Sequence, residues 1–405
     1  MNVIKFKRKK NNIKEGSLNK NKIKNKKRKY LLNTKRKIYN KKTYNNKSKI
    51  NVIKLIFLLL FLILFFIILL KIVVKHKKKK KLRIGVVGLC HELNVGNNLI
   101  KFAISIVLKN LGFIPYIIGT RIPNLNISFI NRTTNLIVIK NTYNELKRED
   151  FDILMVNSDQ TWRRFNKDIL DYGFLKFAEN WNIKKFVYGA SLGYDYWNLP
   201  YNVETKAKEL LKNFTGISVR EQNSIDLVKT HFGITPEFVL DPTLLIDKKY
   251  YLDQIKNYPK NNFIDENYIF IYRIASKTRI RNFTIKAINE LNYKTYEYKL
   301  NNTYHIEDFI YYISNCKAVL TDSFHGTVFS IIFNKPFISF IKKQNAQARF
   351  KSLEKTFDLK NRIISDNEKD PDVSLLTIPL KINKTLIKYL RTKSINFIKK
   401  NLDVI

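Results

Sequence analysis

His325 is the residue of this chain whose position most strongly indicates chemistry. It follows the predicted strand Ala318–Leu320 and precedes a predicted helix that starts near Gly326, so we expect it at the carboxyl end of a strand. The amides of a helix N-terminus attract anions, and a glycine lets a ligand approach the backbone. An imidazole titrates near neutral pH and can donate a proton and regain it. The alternative is a histidine packed at the sheet edge, with its nitrogens bonded to Asp322 or to the backbone.

Two further positions carry side chains that suit a ligand. Arg220 follows the predicted strand Gly216–Val219, and a guanidinium there can hold a carboxylate or phosphate through two parallel hydrogen bonds. The alternative for this arginine is a salt bridge to Glu221. Asp159 and Gln160 lie in a loop after another predicted strand. They can contact a sugar hydroxyl, or the aspartate can simply cap the following turn.

Common catalytic motifs are absent from the sequence or incomplete in it. Cys90 and His91 are adjacent, but no further residues complete a metal-binding spacing. Gly189–Gly193 fits G-x-S-x-G, yet the following residues 194–200 are predicted to form a loop where a nucleophile elbow requires a helix. The sequence contains no P-loop and no G-x-G-x-x-G. Motifs alone therefore predict a two-lobed α/β enzyme that binds an anionic ligand.

Alternating strands and helices predict an α/β fold for most of the chain. Leu82–Leu89 is a short apolar run with β-branched residues, which is typical of a buried parallel strand. Apolar residues then recur at helical spacing as far as Gly112, which we expect to end the helix. Tyr250–Asp265 is polar and is predicted to be a linker. We therefore predict two lobes, residues 82–255 and 265–405, with a ligand cleft between them.

The basic charge is concentrated at the N-terminus. The chain of 405 residues has a formal net charge of +42, and about two thirds of that excess lies within residues 1–81. Residues 1–51 have no apolar face and are predicted to form a disordered basic tail. The apolar run over 52–75 predicts one transmembrane helix, whose orientation is left open by basic clusters on both sides. Few aromatic residues accompany the basic ones, so we expect no specific nucleic-acid partner.

Six short segments, in order, resemble the motifs of the polysaccharide pyruvyl transferase family. The segments are Asn94-Val95-Gly96, Asn157-Ser158-Asp159-Gln160-Thr161-Trp162, Tyr188-Gly189-Ala190-Ser191-Leu192-Gly193, Ile217-Ser218-Val219-Arg220-Glu221, Val239-Leu240-Asp241-Pro242-Thr243 and Thr321-Asp322-Ser323-Phe324-His325-Gly326-Thr327. Arg349 lies where a later motif of the family has an arginine. The resemblance covers about residues 83–365 and leaves out the tail and the predicted transmembrane helix.

The resemblance implies two Rossmann-like lobes of the glycosyltransferase B architecture. It also implies a transferase that moves a pyruvyl group from phosphoenolpyruvate to a sugar of a glycan or of a lipid-linked glycan. The product is a pyruvate ketal, phosphate is released, and neither a cofactor nor a metal is required. Phosphoenolpyruvate is cytosolic, so the globular part of a single-pass membrane protein of this kind would face the cytoplasm.

The resemblance also implies roles for individual residues. His325 would protonate the methylene carbon of phosphoenolpyruvate as a general acid. Arg220, with the helix amides near Gly326, would hold the phosphate or carboxylate of the donor, and Arg349 would assist. Asp322 would orient His325. The remaining candidates for substrate binding are Asn94, Gly96, Asp159, Gln160 and Ser323.

Two other functions fit the same sequence. One is a glycosyltransferase that uses a sugar nucleotide on the same architecture and releases a nucleoside diphosphate. The other is a catalytically inactive, glycan-binding member of the family. Val95, Asn157 and Ser323 favour this second alternative, because they depart from the family motifs; some members have an arginine at the position of Ser323.

Overall fold

The computed structural model describes residues 26–42, 53–69, 81–88, 94–120, 127–139, 142–163, 168–258, 267–274, 278–299, 305–341 and 347–404. Residues 1–80 and 81–405 form two compact units. The second unit contains two parallel sheets. Their strands alternate with helices along the chain, as the sequence pattern predicts.

The first sheet has seven strands in the order β3-β2-β1-β4-β5-β6-β7. Its strands are β1 (Arg83–Val87), β2 (Ile114–Thr120), β3 (Asn135–Ile139), β4 (Ile153–Val156), β5 (Lys184–Ala190), β6 (Gly216–Val219) and β7 (Glu237–Phe238). All of their pairings are parallel. The central strands β1 and β4 are apolar and buried on both faces, since helices cover a parallel sheet on both sides.

The second sheet has five strands in the order β12-β11-β10-β8-β9, again all parallel. Its strands are β8 (Tyr268–Tyr272), β9 (Lys294–Tyr298), β10 (Ala318–Thr321), β11 (Phe337–Ile341) and β12 (Ile363–Ser365). The three-residue strand β12 is not predicted from the sequence, because a run so short carries no clear alternation.

The helices of the second unit are numbered here in chain order. They are α1 (Val95–Asn110), α2 (Ile127–Thr133), α3 (Ile169–Phe174), α4 (Tyr201–Leu211), α5 (Ser224–Phe232), α6 (Lys248–Asp253), α7 (Thr278–Leu291), α8 (Ile306–Asn315), α9 (Phe324–Phe333), α10 (Gln347–Phe357) and α11 (Lys384–Asn401). Two of them matter most for the site, because α1 starts just after β1 and α9 starts just after β10.

Each sheet has a point where the direction of strand order reverses. In the first sheet this point lies between β1 and β4, and in the second it lies between β8 and β10. Ligands of open α/β sheets bind beyond the carboxyl ends of the strands at such points. The segments that follow β1, β4 and β10 contain Gly96, Asp159 and His325, three of the residues predicted to bind or transform substrate.

The last helix of the chain packs on the first sheet. The ring of Phe397 in α11 lies 6.4 Å from that of Phe186 and 6.2 Å from that of Tyr188, both in β5. The Thr215 hydroxyl donates to Asn401 Oδ1 at 2.8 Å. The chain therefore returns from the second sheet to the first and ties the two together.

The predicted linker Tyr250–Asp265 is partly wrong. Its first residues belong to α6, and Tyr251 is fully buried, with its hydroxyl donating to the Thr243 carbonyl at 2.8 Å. Tyr251 packs against the rings of Phe102 and Phe329, and the polar average composition of the segment does not reveal these apolar contacts. Residues 259–266 lie outside the described part of the chain.

The N-terminal unit departs from its prediction in two places. Residues 26–42 form an exposed helix, whereas a disordered tail is predicted over 1–51; lysine and arginine are good helix formers even without an apolar face. A second exposed helix covers residues 53–69 of the predicted span 52–75, whose other residues lie outside the described part. Among the described residues, no helix has the length and apolarity needed to cross a membrane, so the predicted transmembrane helix is not found there.

Candidate active site

The position of His325 is fixed by the start of α9. The helix begins at Phe324, earlier than the sequence indicates, so the imidazole belongs to its first turn. Ser323 caps the helix, because its hydroxyl oxygen accepts from the Gly326 amide at 3.4 Å. A Cβ on Gly326 would overlap the Thr321 hydroxyl, so this glycine lets the helix pack against the end of β10. In this structure Ser323 and Gly326 shape the helix terminus.

The imidazole of His325 is buried among charged groups rather than in an apolar core. The residue is 4% exposed, and its Nε2 lies 3.9 Å from Asp241 Oδ2. Among the described residues, no group makes a hydrogen bond to this nitrogen. Burial lowers the pKa of His325 to about 4, although Asp241 and Asp159 act in the opposite direction. The ring is therefore neutral at neutral pH and keeps one nitrogen available to a ligand.

Gly96 lies in α1, the helix that follows β1 of the first sheet, and it lies directly against this imidazole. Asn94 caps that helix, because its Oδ1 accepts from the backbone N–H of Asn97 at 3.3 Å, and this sets the direction in which the chain leaves β1. A Cβ on Gly96 would overlap His325 Nδ1 and approach Cε1 within 2.5 Å. The helix that follows β1 of the first sheet and the helix that follows β10 of the second sheet thus meet at a glycine and a histidine, and both residues come from the family-like motifs.

Substituting Gly96→Ala is expected to displace the imidazole. We predict at least tenfold lower activity with a loss of about 1–3 kcal/mol in the free energy of unfolding, as in other overpacked sites. Gly112→Ala is a useful contrast, because this glycine has a φ of +91° but open space around its Cβ position. That variant should lose stability through its backbone and leave turnover of the folded enzyme unchanged. If Gly96→Ala and Gly112→Ala lowered kcat equally under conditions where both variants are folded, the proposed contact between Gly96 and His325 would be contradicted.

Arg220 is the centre of a buried ionic cluster. Its three guanidinium nitrogens each meet a different carboxylate: Nη2 to Asp159 at 2.7 Å, Nη1 to Asp241 at 2.6 Å and Nε to Glu221 at 3.2 Å. Burial opposes the charged form, but these carboxylates outweigh it and raise the pKa of Arg220 above its ordinary value. We call these four residues the Arg220 cluster. The salt bridge to Glu221, the alternative weighed above, is present together with two further ones.

Asp159 connects the Arg220 cluster to Arg349. Burial alone would raise the pKa of Asp159, but Arg220, His325 and Arg349 outweigh it and lower that pKa to about 2. Its backbone has a φ of 106°, which is uncommon for a side-chain-bearing residue and marks a constrained loop. The neighbouring Gln160 accepts from Arg163 at 2.9 Å, and its buried Nε2 has no partner among the described residues.

Arg349 is the cation of the site whose hydrogen-bonding capacity is least used. Its side chain is 15% exposed, its Nη1 lies 3.9 Å from Asp159, and its Nε has no hydrogen-bond partner among the described residues. Burial, reinforced by the charge of Arg220, lowers the pKa of Arg349 to about 10, so it remains charged at neutral pH. Both guanidinium groups stack on Phe324, at 4.7 Å for Arg220 and 5.0 Å for Arg349 from the ring centroid.

Three residues of the site are missing from the sequence-based candidates: Asp241, Glu221 and Phe324. Asp241 contacts both Arg220 and His325, whereas Asp322, the predicted orienting residue, accepts from the Ile274 amide at 2.6 Å. The sequence contained a clue to these three residues, because all of them lie inside the family-like segments. The structure brings His325, Arg220, Asp159, Gly96 and Arg349 together. Among the described residues, no group of three or more His, Cys, Asp or Glu side chains could hold a metal ion.

The buried imidazole makes a prediction about pH and stability. The ordinary histidine pKa of 6.5 applies to the unfolded chain, and the folded pKa of His325 is about 4. Between these values the unfolded chain binds a proton that the folded chain does not, so stability falls as the pH drops from 6.5 towards 4. The loss is about 3 kcal/mol. His325→Asn should flatten this dependence when denaturant unfolding is compared near pH 4 and near pH 7; an unchanged dependence would contradict the buried neutral ring.

Comparison with known proteins agrees with the motifs. The model of the family described as polysaccharide pyruvyl transferase matches residues 94–341, which is more than half of the chain. The chain therefore belongs to the polysaccharide pyruvyl transferase family, a family of transferases. This match contains every site residue named above except Arg349, which follows it. No curated protein matches the chain.

Solved structures that are similar to the chain include complexes with UDP and with a UDP-sugar. MnaA of S. aureus, solved with UDP, has 14% identity, a TM-score of 0.48, and coverage of 80% of this chain and 98% of that one. UGT89C1 of Arabidopsis thaliana, complexed with UDP-L-rhamnose, has 10% identity, a TM-score of 0.47, and coverage of 80% and 98%. A putative UDP-N-acetylglucosamine 2-epimerase from Listeria monocytogenes has 10% identity, a TM-score of 0.45, and coverage of 78% and 90%.

Proposed function

We propose that the chain is an active pyruvyl transferase, with phosphoenolpyruvate as donor and a sugar of a glycan or lipid-linked glycan as acceptor. The observation that supports this is the pairing of His325 and Arg349 around Phe324. Each has a buried nitrogen without a partner among the described residues, and the rings of His325 and Phe324 lie 5.3 Å apart. A small dianion between them would satisfy the guanidinium and place a carbon beside the imidazole.

The proposed reaction balances without an external reagent. A proton joins the methylene carbon of phosphoenolpyruvate, and the positive charge that develops at the adjacent carbon is captured by one sugar hydroxyl. A second hydroxyl of the same acceptor then displaces the phosphate at that carbon. Two C–O bonds and one C–H bond form, and the C–O bond to phosphate breaks. Of the two hydroxyl protons, one replaces the proton delivered to carbon and the other leaves with phosphate.

In this proposal the negative charge of the bound donor favours the protonated form of His325. In the free protein the pKa of His325 is about 4, so the ring is neutral at neutral pH and is a poor acid until an anion arrives. Negative charge next to an imidazole favours its protonated form. Binding of phosphoenolpyruvate would therefore raise the pKa of His325 and prepare it to protonate the methylene carbon.

The contacts of Arg220 suit positioning better than direct capture of the donor. All three of its nitrogens already have carboxylate partners. Through Asp241 it holds a carboxylate near the imidazole, and through Asp159 it holds one near Arg349. In this proposal Arg349 binds the donor anion, and Arg220 fixes the groups that surround the reacting atoms.

Phosphate release tests the proposed function. The full chain is incubated with phosphoenolpyruvate and a set of polysaccharide and lipid-linked sugar acceptors, and acceptor-dependent inorganic phosphate is measured. The proposal requires phosphate and pyruvate ketal in equal amounts. Release of a nucleoside diphosphate from sugar nucleotides, with no turnover of phosphoenolpyruvate, would instead support the glycosyltransferase alternative. Glycan binding without turnover of either donor would support the inactive member.

Arg349→Gln should weaken donor binding selectively. Loss of a charge-assisted hydrogen bond to an anion is expected to raise the KM for phosphoenolpyruvate about 10- to 100-fold. Arg281→Gln, at an exposed position of α7, is the matched control and should leave that KM unchanged. A KM that is the same in both variants would show that Arg349 does not bind the donor.

A further inference from the structure

A cavity lies between the two lobes beside the Arg220 cluster. It has a volume of about 670 Å³, within the range of cavities that bind small organic ligands. One wall comes from the start of α5 and the segment before it, including Gln222, Asn223 and Asp226. The opposite wall is α10, which contributes Lys351 and Lys355. The space is therefore large enough for a sugar and is shaped by both lobes.

The cavity adjoins the groups that would react through two shared lining residues, although those groups do not line it themselves. Gln222 is two residues beyond Arg220, and Ala348 immediately precedes Arg349. Phe238 and Ser352 line both this cavity and a void of about 10 Å³ next to Arg220, Asp241, Phe324 and Arg349. A ligand in the cavity would thus have one end beside the proposed donor site.

Two contacts across the cavity set the distance between its walls. The backbone N–H of Gln222 donates to Ser352 Oγ at 3.3 Å, and Lys351 Nζ lies 3.5 Å from Asp195 Oδ2. Each contact joins a residue of the first lobe to one of α10. The α10 wall, which also carries Arg349, is therefore fixed to the opposite wall. A ligand between the walls has a defined position relative to the donor-binding guanidinium.

The chemistry of the lining suits a neutral polyhydroxyl compound. The amide side chains of Gln222 and Asn223 both donate and accept hydrogen bonds, as sugar hydroxyls do. The two lysines of the lining are matched by two carboxylates, Asp195 and Asp226, so the lining does not favour a polyanion such as a nucleoside diphosphate. Phe238, with Ile225 and Ala348, offers apolar surface to the C–H groups of a sugar ring.

We infer that this cavity binds the acceptor sugar, with the hydroxyls that receive the pyruvyl group directed towards Arg349. This inference rests on the proposed function for the direction in which the sugar faces. Binding of the sugar itself does not depend on that function. The two ideas can therefore fail separately: the cavity can bind a sugar even if phosphoenolpyruvate is not the donor.

The test is direct binding, followed by kinetics. Methyl glycosides of galactose, glucose and mannose, and a disaccharide of each, are titrated into the full chain and into the double variant Asp226→Ala/Lys355→Ala. Both residues are exposed, so the variant should fold. We expect at least tenfold weaker binding of the glycosides that the parent protein binds, since Asp226 and Lys355 are charged hydrogen-bonding groups of the lining and both are removed. The KM for phosphoenolpyruvate should change less than about twofold.

The matched control removes the same residue types elsewhere. Asp253 and Lys256 form a surface ion pair at 2.7 Å, away from the cavity lining. Asp253→Ala/Lys256→Ala should leave glycoside affinity unchanged. Equal affinity of both double variants, or the absence of binding of every glycoside to the parent protein, would overturn the assignment of the cavity. Weakened glycoside binding together with no turnover of phosphoenolpyruvate would keep the cavity and overturn the donor.

Discussion

Substituting His325→Asn is expected to lower acceptor-dependent phosphate release about 100- to 10,000-fold, the usual contribution of a positioned proton donor. Asparagine fills similar space but cannot carry a proton to carbon. Because Arg349 is unchanged, the KM for phosphoenolpyruvate should rise far less than kcat falls. Steady-state kinetics of the purified full chain measure both quantities.

His231→Asn is the matched control for this substitution. His231 lies in α5, where its ring stacks on Trp197 at 4.0 Å and its Nδ1 pairs with Glu204 at 3.1 Å. It takes no part in the proposed reaction, so its variant should keep kcat. If His325→Asn retained the parent kcat, or if the two variants lost activity equally, the proton-transfer role of His325 would be wrong.

Substituting Arg220→Met is expected to cost about 3–5 kcal/mol of unfolding free energy, the usual result of removing one partner from a buried ionic group. Methionine fills much of the space, but it leaves the carboxylates of Asp159, Asp241 and Glu221 without their common cation. Arg349 is 3.9 Å from Asp159 and cannot replace all three contacts. Urea unfolding at neutral pH, monitored by tryptophan fluorescence, measures the change.

Lys286→Met provides the surface comparison. Lys286 lies 3.9 Å from Glu290, and both side chains are about half exposed, so the solvent screens this pair. The expected change in unfolding free energy is much smaller than for Arg220→Met. A similar change in both variants would mean that the Arg220 cluster contributes no more to stability than an ordinary surface pair.

Much of the fold can be predicted from the sequence because parallel strands that are buried on both faces are short apolar runs rich in β-branched residues. The strand Gly216–Val219 is predicted with its observed bounds, and Ala318–Leu320 is one residue shorter than observed. The start of α9 is harder to predict, since Phe324 and His325 carry no helix-start signal of their own. Ser323 supplies it as a cap, and this places His325 inside the first turn.

Some members of the candidate site can be predicted from the sequence, but their pairings cannot. The sequence predicts Arg220 and His325 at carboxyl ends of strands. Arg220 directly follows β6, whereas His325 lies in the first turn of α9, after the end of β10. The sequence does not show that Asp159, 61 positions before Arg220 in the chain, and Asp241, 21 positions after it, would both contact its guanidinium. Such contacts depend on how the ends of β4, β6 and β7 come together. They change the proposed role of Arg220 from anion capture to positioning.

The methyl group of the product provides the most direct test of the central claim, which is protonation of the donor's methylene carbon. The full chain is allowed to react in deuterium oxide with phosphoenolpyruvate and an acceptor, and the product is analysed by mass spectrometry and proton NMR. The account predicts a pyruvate ketal whose methyl group carries one deuterium, formed together with phosphate in equal amount. A product that retains the methylene group, or a ketal methyl group without deuterium, would contradict it.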